Sequence, residues 1–427
     1  MPWYKNTFVL TAVISIAALL CLRFGLVIAQ PAPLYMDEIA SAAHAAHLLD
    51  KSTTMNGDTG AVATVSLGGG YSTGTYLYPL AAWLGVGGVN DISLRLFSQL
   101  VTCLAALIVA YALYLWRGRR LGCLAAIIGL SLPWSWINGN VAWDPAITPL
   151  YLSLGVLFFT LLAVKRPTTP WRTNLYATGL TVALVAAAYS YPPYRVVAPL
   201  LLLGAIVYLM KAARIHLKQL LIICGVGLAT SLPLAIFMLS PEAITRSANL
   251  SVFHDSWLQG VMDMFINLAK LASPEPLFLT GDANLRHSAG FGGMLGVAGF
   301  IGLAVLAYTL LARPRPAANY QLLAAMGGAG VLACLLGSAL TNEAQPHYLR
   351  AVGAWPFFVI LIALGWEEIT RLPQKLLLWL LGGIGAISIG LFICYMSFVF
   401  PDKRTEYFNN WTAGPAEQRF VDYYTHR

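Results

Sequence analysis

Two adjacent carboxylates, Asp37 and Glu38, follow closely behind the first apolar stretch of the sequence. They begin a segment, 36–50, whose apolar residues recur at helical spacing, which predicts an amphipathic helix in the plane of the membrane interface. Beside an apolar medium, one carboxylate can accept a proton from an acceptor hydroxyl or amine while its neighbour orients the reacting group or holds an ion. The alternative is a charge cap, because the positive end of a helix dipole favours carboxylates in the first turn.

Three arginines, Arg195, Arg286 and Arg350, stand at the outer ends of predicted membrane spans. A guanidinium presents a rigid fork of donors that matches a phosphate. Fixed cations of this kind would also stabilise the negative charge that a phosphate leaving group develops. The alternative for each arginine is an interfacial anchor or a contact with a lipid headgroup. His287 and His347 neighbour these arginines, and we expect them to hydrogen-bond the same headgroup.

A third carboxylate, Asp144, precedes a proline at a predicted helix start, where it either caps the helix or faces a substrate. Aromatic residues stand near it and in the turn 189–195, among them Tyr191; they either stack on a sugar ring or belong to an aromatic belt at the membrane interface. Arg23 interrupts the first apolar run. Burying it costs about 2.5 kcal/mol or more, so we expect it to face the bundle interior or to snorkel outward.

The elements that must position these side chains are membrane helices. The 427 residues are 58% hydrophobic and only 10% charged, whereas soluble domains carry about 25% charged residues. The apolar stretches have the length that a helix needs to cross a hydrocarbon core of about 30 Å. We therefore predict an all-α integral membrane protein, a polytopic bundle of about eleven spans: 7–29, 92–115, 121–137, 147–164, 174–190, 195–210, 218–239, 291–312, 320–340, 351–365 and 376–400.

The net charge of +8 reflects membrane topology rather than a nucleic-acid partner. More than half of the 26 basic residues fall in short loops predicted to be cytoplasmic, whereas only Glu367 and Glu368 of the 18 acidic residues do. By the positive-inside rule, the amino terminus is cytoplasmic and the chemistry lies on the outer face of a plasma (inner) membrane. Residues 1–400 form one transmembrane domain with outer loops at 30–91 and 240–290, and 401–427 form a short outer tail.

The cysteines and histidines do not indicate a metal site by their spacing. All six cysteines lie within or at the ends of predicted spans, without a CxxC pair. His44 and His47 stand at i and i+3, but no third ligand of matching spacing accompanies them. The sequence therefore assigns no cofactor, while it leaves room for a divalent cation.

The segment 33–44 (PLYMDEIASAAH), entered from a span that contains Arg23, resembles the first outer loop of the GT-C glycosyltransferases. These enzymes include the protein O-mannosyltransferases and the lipid A aminoarabinose transferases, which take sugars from polyprenyl-phosphate carriers. An acidic pair in this loop is characteristic of them. The likeness continues in the same order through later segments: 78–79, 92–98 with an arginine at the helix start, 140–145 with a second carboxylate, 189–195, 281–288 and 345–356.

The resemblance implies transfer of a sugar from a polyprenyl-phosphate-linked donor to a lipid, glycan or protein acceptor on the periplasmic or extracytoplasmic side. It implies that Asp37 activates the acceptor and that Glu38 assists it or binds an ion. Arg195, Arg286 and Arg350 would then hold the carrier phosphate, in a site bordered by membrane lipids. Direct displacement would invert the anomeric carbon.

Two features depart from the GT-C pattern. About 27 residues follow the last predicted span, where many members carry a sizeable outer domain, and no WWDYG-like motif is present. A lipid-linked sugar flippase or secondary transporter is the main alternative, although such proteins place charges in mid-membrane and show inverted repeats. An O-antigen polymerase or ligase is a further alternative, but these typically have long, arginine-rich outer loops.

Overall fold

The computed structural model describes residues 7–29, 34–57, 59–60, 65–67, 70–165, 169–253, 256–282, 284–288, 291–312, 317–342, 345–370 and 415–426, with four isolated positions between 383 and 394. Within these residues the chain is almost entirely helical, as predicted. The exception is one short antiparallel pair, β1 (Val65–Leu67) and β2 (Gly70–Ser72), in the loop 30–91.

The helices follow one another with short connections. In chain order they are α1 (Thr7–Ala29), α2 (Met36–Lys51), α3 (Gly74–Gly87), α4 (Asp91–Arg117), α5 (Arg119–Ser131), α6 (Pro133–Asn140), α7 (Thr148–Ala163), α8 (Pro170–Ser190), α9 (Tyr194–Lys211), α10 (Leu217–Met238), α11 (Pro241–Leu250), α12 (Trp257–Leu271), α13 (Pro274–Phe278), α14 (Gly296–Ala312), α15 (Ala318–Ala339), α16 (Trp355–Ile369) and α17 (Pro415–Thr425). Two short 3-10 helices, Asp144–Ile147 and Val352–Ala354, lead into α7 and α16.

The predicted count of eleven spans is not confirmed. Seven described helices are long and apolar enough to cross a membrane, or eight if the bent pair α5 and α6 is one span. Two helices predicted as spans fall short of this test: α14 has only 17 residues, and α8 begins with the polar residues Arg172, Thr173 and Asn174. The last predicted span, 376–400, lies outside the described residues.

The bend between α5 and α6 has a local cause. The two helices meet at 54°, and Leu132 between them has an extended backbone, with φ −63° and ψ 127°. A proline disfavours the helical conformation of the residue before it, and Pro133 follows directly. The break turns α6 towards the segment that carries Asp144.

The centre of the bundle is formed by α4, α5, α7 and α16, and α16 is the most deeply buried of the candidate spans. Helices α14 and α16 pack almost backbone to backbone, because a Cβ added at Gly365 would overlap the backbone of Gly302. Close approach through small residues is typical of packing between membrane helices. This contact fixes the helix that follows Arg350.

Arg23 faces the bundle interior and is fully buried. Its Nε donates to the carbonyl oxygen of Leu130 at 3.0 Å, and its Nη1 donates to Gln99 Oε1 at 3.1 Å. Its Nη2 donates to Ser135 Oγ, and the guanidinium lies 4.6 Å from the centre of the Trp136 ring. A charged residue inside a span is stable only with such partners. Arg23 therefore links α1 to α4, α5 and α6. Of the two orientations predicted from the sequence, its side chain has the one that faces the bundle interior.

Helix α2 confirms the amphipathic helix predicted behind the first span. Its apolar side is covered by protein: Ala42 and Ala45 pack against α3, and Ala40 and Ala43 pack against α17. Phe420 of α17 is 1% exposed in this contact. The predicted outer tail thus rests on the helix that begins with Asp37 and Glu38.

Candidate active site

Glu38 is the most enclosed carboxylate of the loop 30–91, with no exposed surface. Its Oε2 accepts a hydrogen bond from the backbone N–H of Tyr35 at 2.8 Å, and its Oε1 accepts one from the N–H of Ala142 at 2.9 Å. Arg95, at the start of α4, completes the arrangement with an ion pair of 3.4 Å. A buried charge needs partners of this quality. Glu38 therefore holds the first turn of α2 against α4 and the segment before Asp144.

Arg95 is a site residue to which the sequence alone assigns no role. The available signal was the arginine at the start of a span in segment 92–98. Its guanidinium is almost completely buried, and it contacts Glu38 across 57 residues of sequence. No local pattern predicts that contact.

Asp37 is half-buried and lies on a different side of α2 from Glu38. Its charge acts on the neighbouring phenol: burial first, and then Asp37, raise the pKa of Tyr35 to about 12. Arg286 opposes this rise, since its Nη1 donates a hydrogen bond to the Tyr35 hydroxyl and its guanidinium lies 4.9 Å from the ring centre. A carboxylate and a guanidinium predicted from distant segments thus converge on one tyrosine.

Asp144 is half-buried at the start of the 3-10 helix that precedes α7. Tyr76 of α3, which has no exposed surface, lies beside it. Burial raises the pKa of the Tyr76 hydroxyl well above its usual value, and the charges of Asp144 and Glu38 raise it further. The phenol therefore stays neutral in the field of the two carboxylates, and no sequence pattern singles out Tyr76.

Asp282, His287 and His347 form a further cluster. Asp282 Oδ2 and His287 Nδ1 lie 3.1 Å apart, and the rings of His287 and His347 stack with centroids 4.8 Å apart. Burial is the largest single influence and would raise the pKa of Asp282, but the hydrogen bonds from His287 and Asn284 and the charges of the two histidines together outweigh it, and the pKa lies below its usual value. Burial lowers the pKa of His287, and the bond from Asp282 opposes that change only in part. One carboxylate and two imidazoles are a set that could hold a metal ion.

The cluster adjoins the other predicted site residues. The ring of His287 lies 5.5 Å from that of Trp143, the residue before Asp144. Arg350 is 7% exposed, and its backbone N–H donates to the carbonyl oxygen of His347 at 3.2 Å. An arginine this buried is not a lipid-facing anchor, which was the alternative interpretation.

Arg195 and Tyr191 lie elsewhere, at the start of α9. Arg195 Nη1 donates to Met238 Sδ at 2.9 Å, and its guanidinium lies 5.9 Å from the ring centre of Phe237 on α10. The ring of Tyr191 is 6.4 Å from that of Tyr194. The structure therefore brings Arg195 to α10, whereas it brings Arg286 to Tyr35 on α2.

Two apolar cavities lie within the bundle. One of about 460 Å³ opens among α7, α8, α9, α15 and α16 and is lined by side chains such as Leu152, Phe159, Leu184 and Phe357. The other, of about 320 Å³, lies among α8, α9 and α10 and includes Arg195. Cavities of this size and apolar lining suit hydrocarbon chains.

No family model and no curated protein matches the sequence. Among solved structures, the chain is similar to ArnT from Cupriavidus metallidurans in the apo state, with a TM-score of 0.56 and 14% identity over 89% of this chain and 62% of that one. It is also similar to ArnT bound to undecaprenyl phosphate, with a TM-score of 0.54 and 13% identity over 97% of this chain and 74% of that one.

A third similar structure is the archaeal oligosaccharyltransferase AglB from Archaeoglobus fulgidus, in complex with an inhibitory peptide and a dolichol-phosphate. Its TM-score is 0.52, with 12% identity over 99% of this chain and 60% of that one. This chain thus spans about three fifths of the length of AglB and of apo ArnT. At such identities the likeness establishes the fold, and it confirms the resemblance drawn from the sequence at that level. This chain is an integral membrane protein with the GT-C fold.

Proposed function

We propose that this chain is a GT-C glycosyltransferase that moves a sugar from a polyprenyl-phosphate carrier onto a lipid, glycan or protein acceptor at the extracytoplasmic face of the plasma (inner) membrane. The observation that carries the proposal is the convergence of Asp37 and Arg286 on the side chain of Tyr35. Arg286 hydrogen-bonds the tyrosine whose pKa the charge of Asp37 raises, which would bring a base for the acceptor and a cation for the leaving phosphate to the same site. The similar ArnT and AglB structures that hold undecaprenyl phosphate and dolichol-phosphate support the choice of carrier.

In the proposed reaction, the Asp37 carboxylate accepts the proton of the acceptor hydroxyl or amine. The freed electron pair of the acceptor attacks the anomeric carbon, and the bond from that carbon to the phosphate oxygen breaks on the opposite side. The configuration of the anomeric carbon is therefore inverted. Glu38 does not react; it holds the first turn of α2, so that Asp37 keeps its direction.

Arg286 is suited to stabilise the phosphate as it leaves. Its Nε donates to Asn284 Oδ1 at 3.2 Å and its Nη1 donates to Tyr35. A guanidinium has five N–H donors. Within the described part of the chain, the Arg286 guanidinium donates only to Asn284 and Tyr35, which leaves further N–H donors for a phosphate. Those donors would meet phosphate oxygens with the geometry that makes bidentate arginine contacts strong.

The remaining predicted residues have supporting roles in this proposal. Arg350 and Asp144 border the same site, and His287 and His347 stand between them. Arg195 and Tyr191 would contact the carrier at the separate cavity beside α10. The apolar cavity of about 460 Å³ would accept part of the polyprenyl chain.

The test is consumption of a polyprenyl-phosphate sugar by purified protein in detergent, where no second compartment exists for transport. The carrier lipid and sugar are first identified by mass spectrometry of lipids that co-purify with the protein. Because a general base contributes about 10²- to 10⁴-fold, Asp37→Asn should lower the rate to that extent. Asp263→Asn on α12 is the matched control and should keep the rate, because Asp263 is half-buried like Asp37 and an asparagine there still accepts the hydrogen bond from Gln259. Full activity of Asp37→Asn, or no consumption by the native protein, would overturn the proposal.

A further inference from the structure

The cluster of Asp282, His287 and His347 joins two loops that are distant in the sequence. Asp282 and His287 lie between α13 and α14, and His347 lies between α15 and α16. One ligand atom from each side chain falls within 4.8 Å of the other two. Asp282 and His287 are only 4% and 6% exposed, and His347 is half-buried. Three potential ligands therefore converge in a site that is largely shielded from solvent.

The residue types favour one class of ion. Imidazole nitrogen with a single carboxylate suits Zn²⁺ and neighbouring transition metals, whereas Mg²⁺ and Ca²⁺ prefer sites made of oxygen atoms alone. Tetrahedral zinc with bonds near 2.1 Å places its ligand atoms roughly 3.4 Å apart. The observed separations lie close enough for side-chain rotation to reach that geometry. Three protein ligands would leave a fourth position for water.

Asp282 is held in place for such a role. Its Oδ1 accepts the N–H of Asn284 at 2.8 Å, and its Oδ2 accepts the N–H of Tyr348 at 2.8 Å. The first of these bonds is local, whereas the second joins Asp282 to the backbone of the residue after His347. Outer contacts that orient the ligands are a regular part of metal sites in proteins. The tilted contact of the His287 ring with Trp143, at 5.5 Å between centroids, restrains the imidazole in a similar way.

We propose that Asp282, His287 and His347 bind one transition-metal ion of the Zn²⁺ class, which clamps the loop before α14 to the loop before α16. None of its ligands is the Asp37 carboxylate, and the ion takes no part in bond breaking. Its effect is on position, because Arg286 is adjacent to His287 in the sequence and Arg350 follows His347 by one turn. Without the ion, the two loops that carry Arg286 and Arg350 would no longer be fixed relative to each other.

The test measures metal directly and needs no knowledge of the sugar. Full-length protein is purified through an affinity tag without histidines, incubated with Zn²⁺, separated from free metal by gel filtration and assayed by inductively coupled plasma mass spectrometry. About one zinc per chain is expected for the native protein. His287→Ala and His347→Ala should each lower the affinity at least about 10-fold, as loss of a ligand or its support does. His47→Ala, a half-buried histidine outside the cluster, is the matched control and should retain the zinc.

A second measurement uses only the native protein, so its result does not depend on whether the variants fold. Co²⁺ in place of Zn²⁺ should give the visible absorption of a tetrahedral ion, and added Zn²⁺ should abolish it. Binding of less than about a tenth of an equivalent of either ion, or equal zinc in the native protein and both cluster variants, would overturn the proposal. Since neither assay uses sugar transfer, failure of the metal site leaves the transferase proposal standing, and the reverse also holds.

Discussion

Glu38 and Arg95 form an ion pair, with 3.4 Å between Oε1 and Nε, whose side chains are 0% and 5% exposed. The pair joins the first turn of α2 to the first turn of α4. Glu38 follows Asp37 directly in the sequence, so the direction of the proposed base depends on a contact that does not itself touch substrate.

Removal of Arg95 should be more harmful than removal of both charges. Arg95→Leu leaves the Glu38 carboxylate buried without its cation, which destabilises a protein by about 3–5 kcal/mol. The double variant Arg95→Leu with Glu38→Gln should recover part of that loss, because no uncompensated charge remains. Thermal unfolding in detergent measures both effects. If the double variant were less stable than Arg95→Leu alone, the pair would not be coupled in this way.

The binding of the carrier should depend on the fork of Arg286 as well as on its charge. Arg286→Gln removes charge-assisted hydrogen bonds, so the affinity for undecaprenyl phosphate should fall by roughly 10- to 100-fold. Arg286→Lys keeps the charge and should lose less. Arg172→Gln, exposed at the start of α8, is the control. Native mass spectrometry with undecaprenyl phosphate reports the affinities, and unchanged binding by Arg286→Gln would exclude this arginine as the phosphate ligand.

Phe420 should control whether α17 stays on α2. Truncation of a buried phenylalanine costs about 3–5 kcal/mol, and the contact would then rest on the hydrogen bonds from Arg419 to Asn56, from Tyr423 to Asp50 and from Tyr424 to Asp91. Phe420→Ala should therefore raise hydrogen exchange across 415–425 and lower sugar transfer. Gln418→Ala, on the exposed side of the same helix, should change neither. Equal exchange in the two variants would contradict the packing described for α17.

The same contact should weaken in acid because of His44. Burial first, and then the charges of Arg419 on α17 and His47 on α2, lower the pKa of His44 to about 3. Once α17 departs, the pKa returns towards about 6.5, so the undocked state binds the proton more tightly. Above about pH 6.5 the free energy of docking α17 on α2 does not change with pH. Between pH 7 and pH 5, docking becomes less favourable by roughly 2 kcal/mol. Hydrogen exchange of 415–425 at the two pH values, corrected for intrinsic rates, should show this, and His44→Asn should remove it.

The local elements could be predicted because their causes are local. Apolar residues at helical spacing predict α2 over 36–50, and the structure has it at Met36–Lys51. Arg23 faces inward because the energy of a charge in lipid allows few other positions. The number of spans stays a prediction, since α14 is apolar but has only 17 residues, below the length of about 20 that a crossing helix needs.

The site was only partly predictable, since it depends on contacts between distant segments. Asp282 stands in a loop without any spacing that would mark it, and only the fold brings it to His347. The sequence predicts the same phosphate-binding role for Arg195 and Arg286, because both are arginines at the outer end of a predicted span. A pattern identifies the end of a span, but the side chain's direction is set by tertiary packing, which turns Arg195 towards α10.

The seating of α17 on α2 also restricts how the chain can be threaded through the bilayer. Tyr423 and Asp50 share a hydrogen bond across 373 residues, so both must be on the same side of the lipid. The polypeptide between them must then pass through the bilayer an even number of times. Ten spans are predicted between Asp50 and Tyr423, which is an even number. Any revised number of spans between these two residues must also be even.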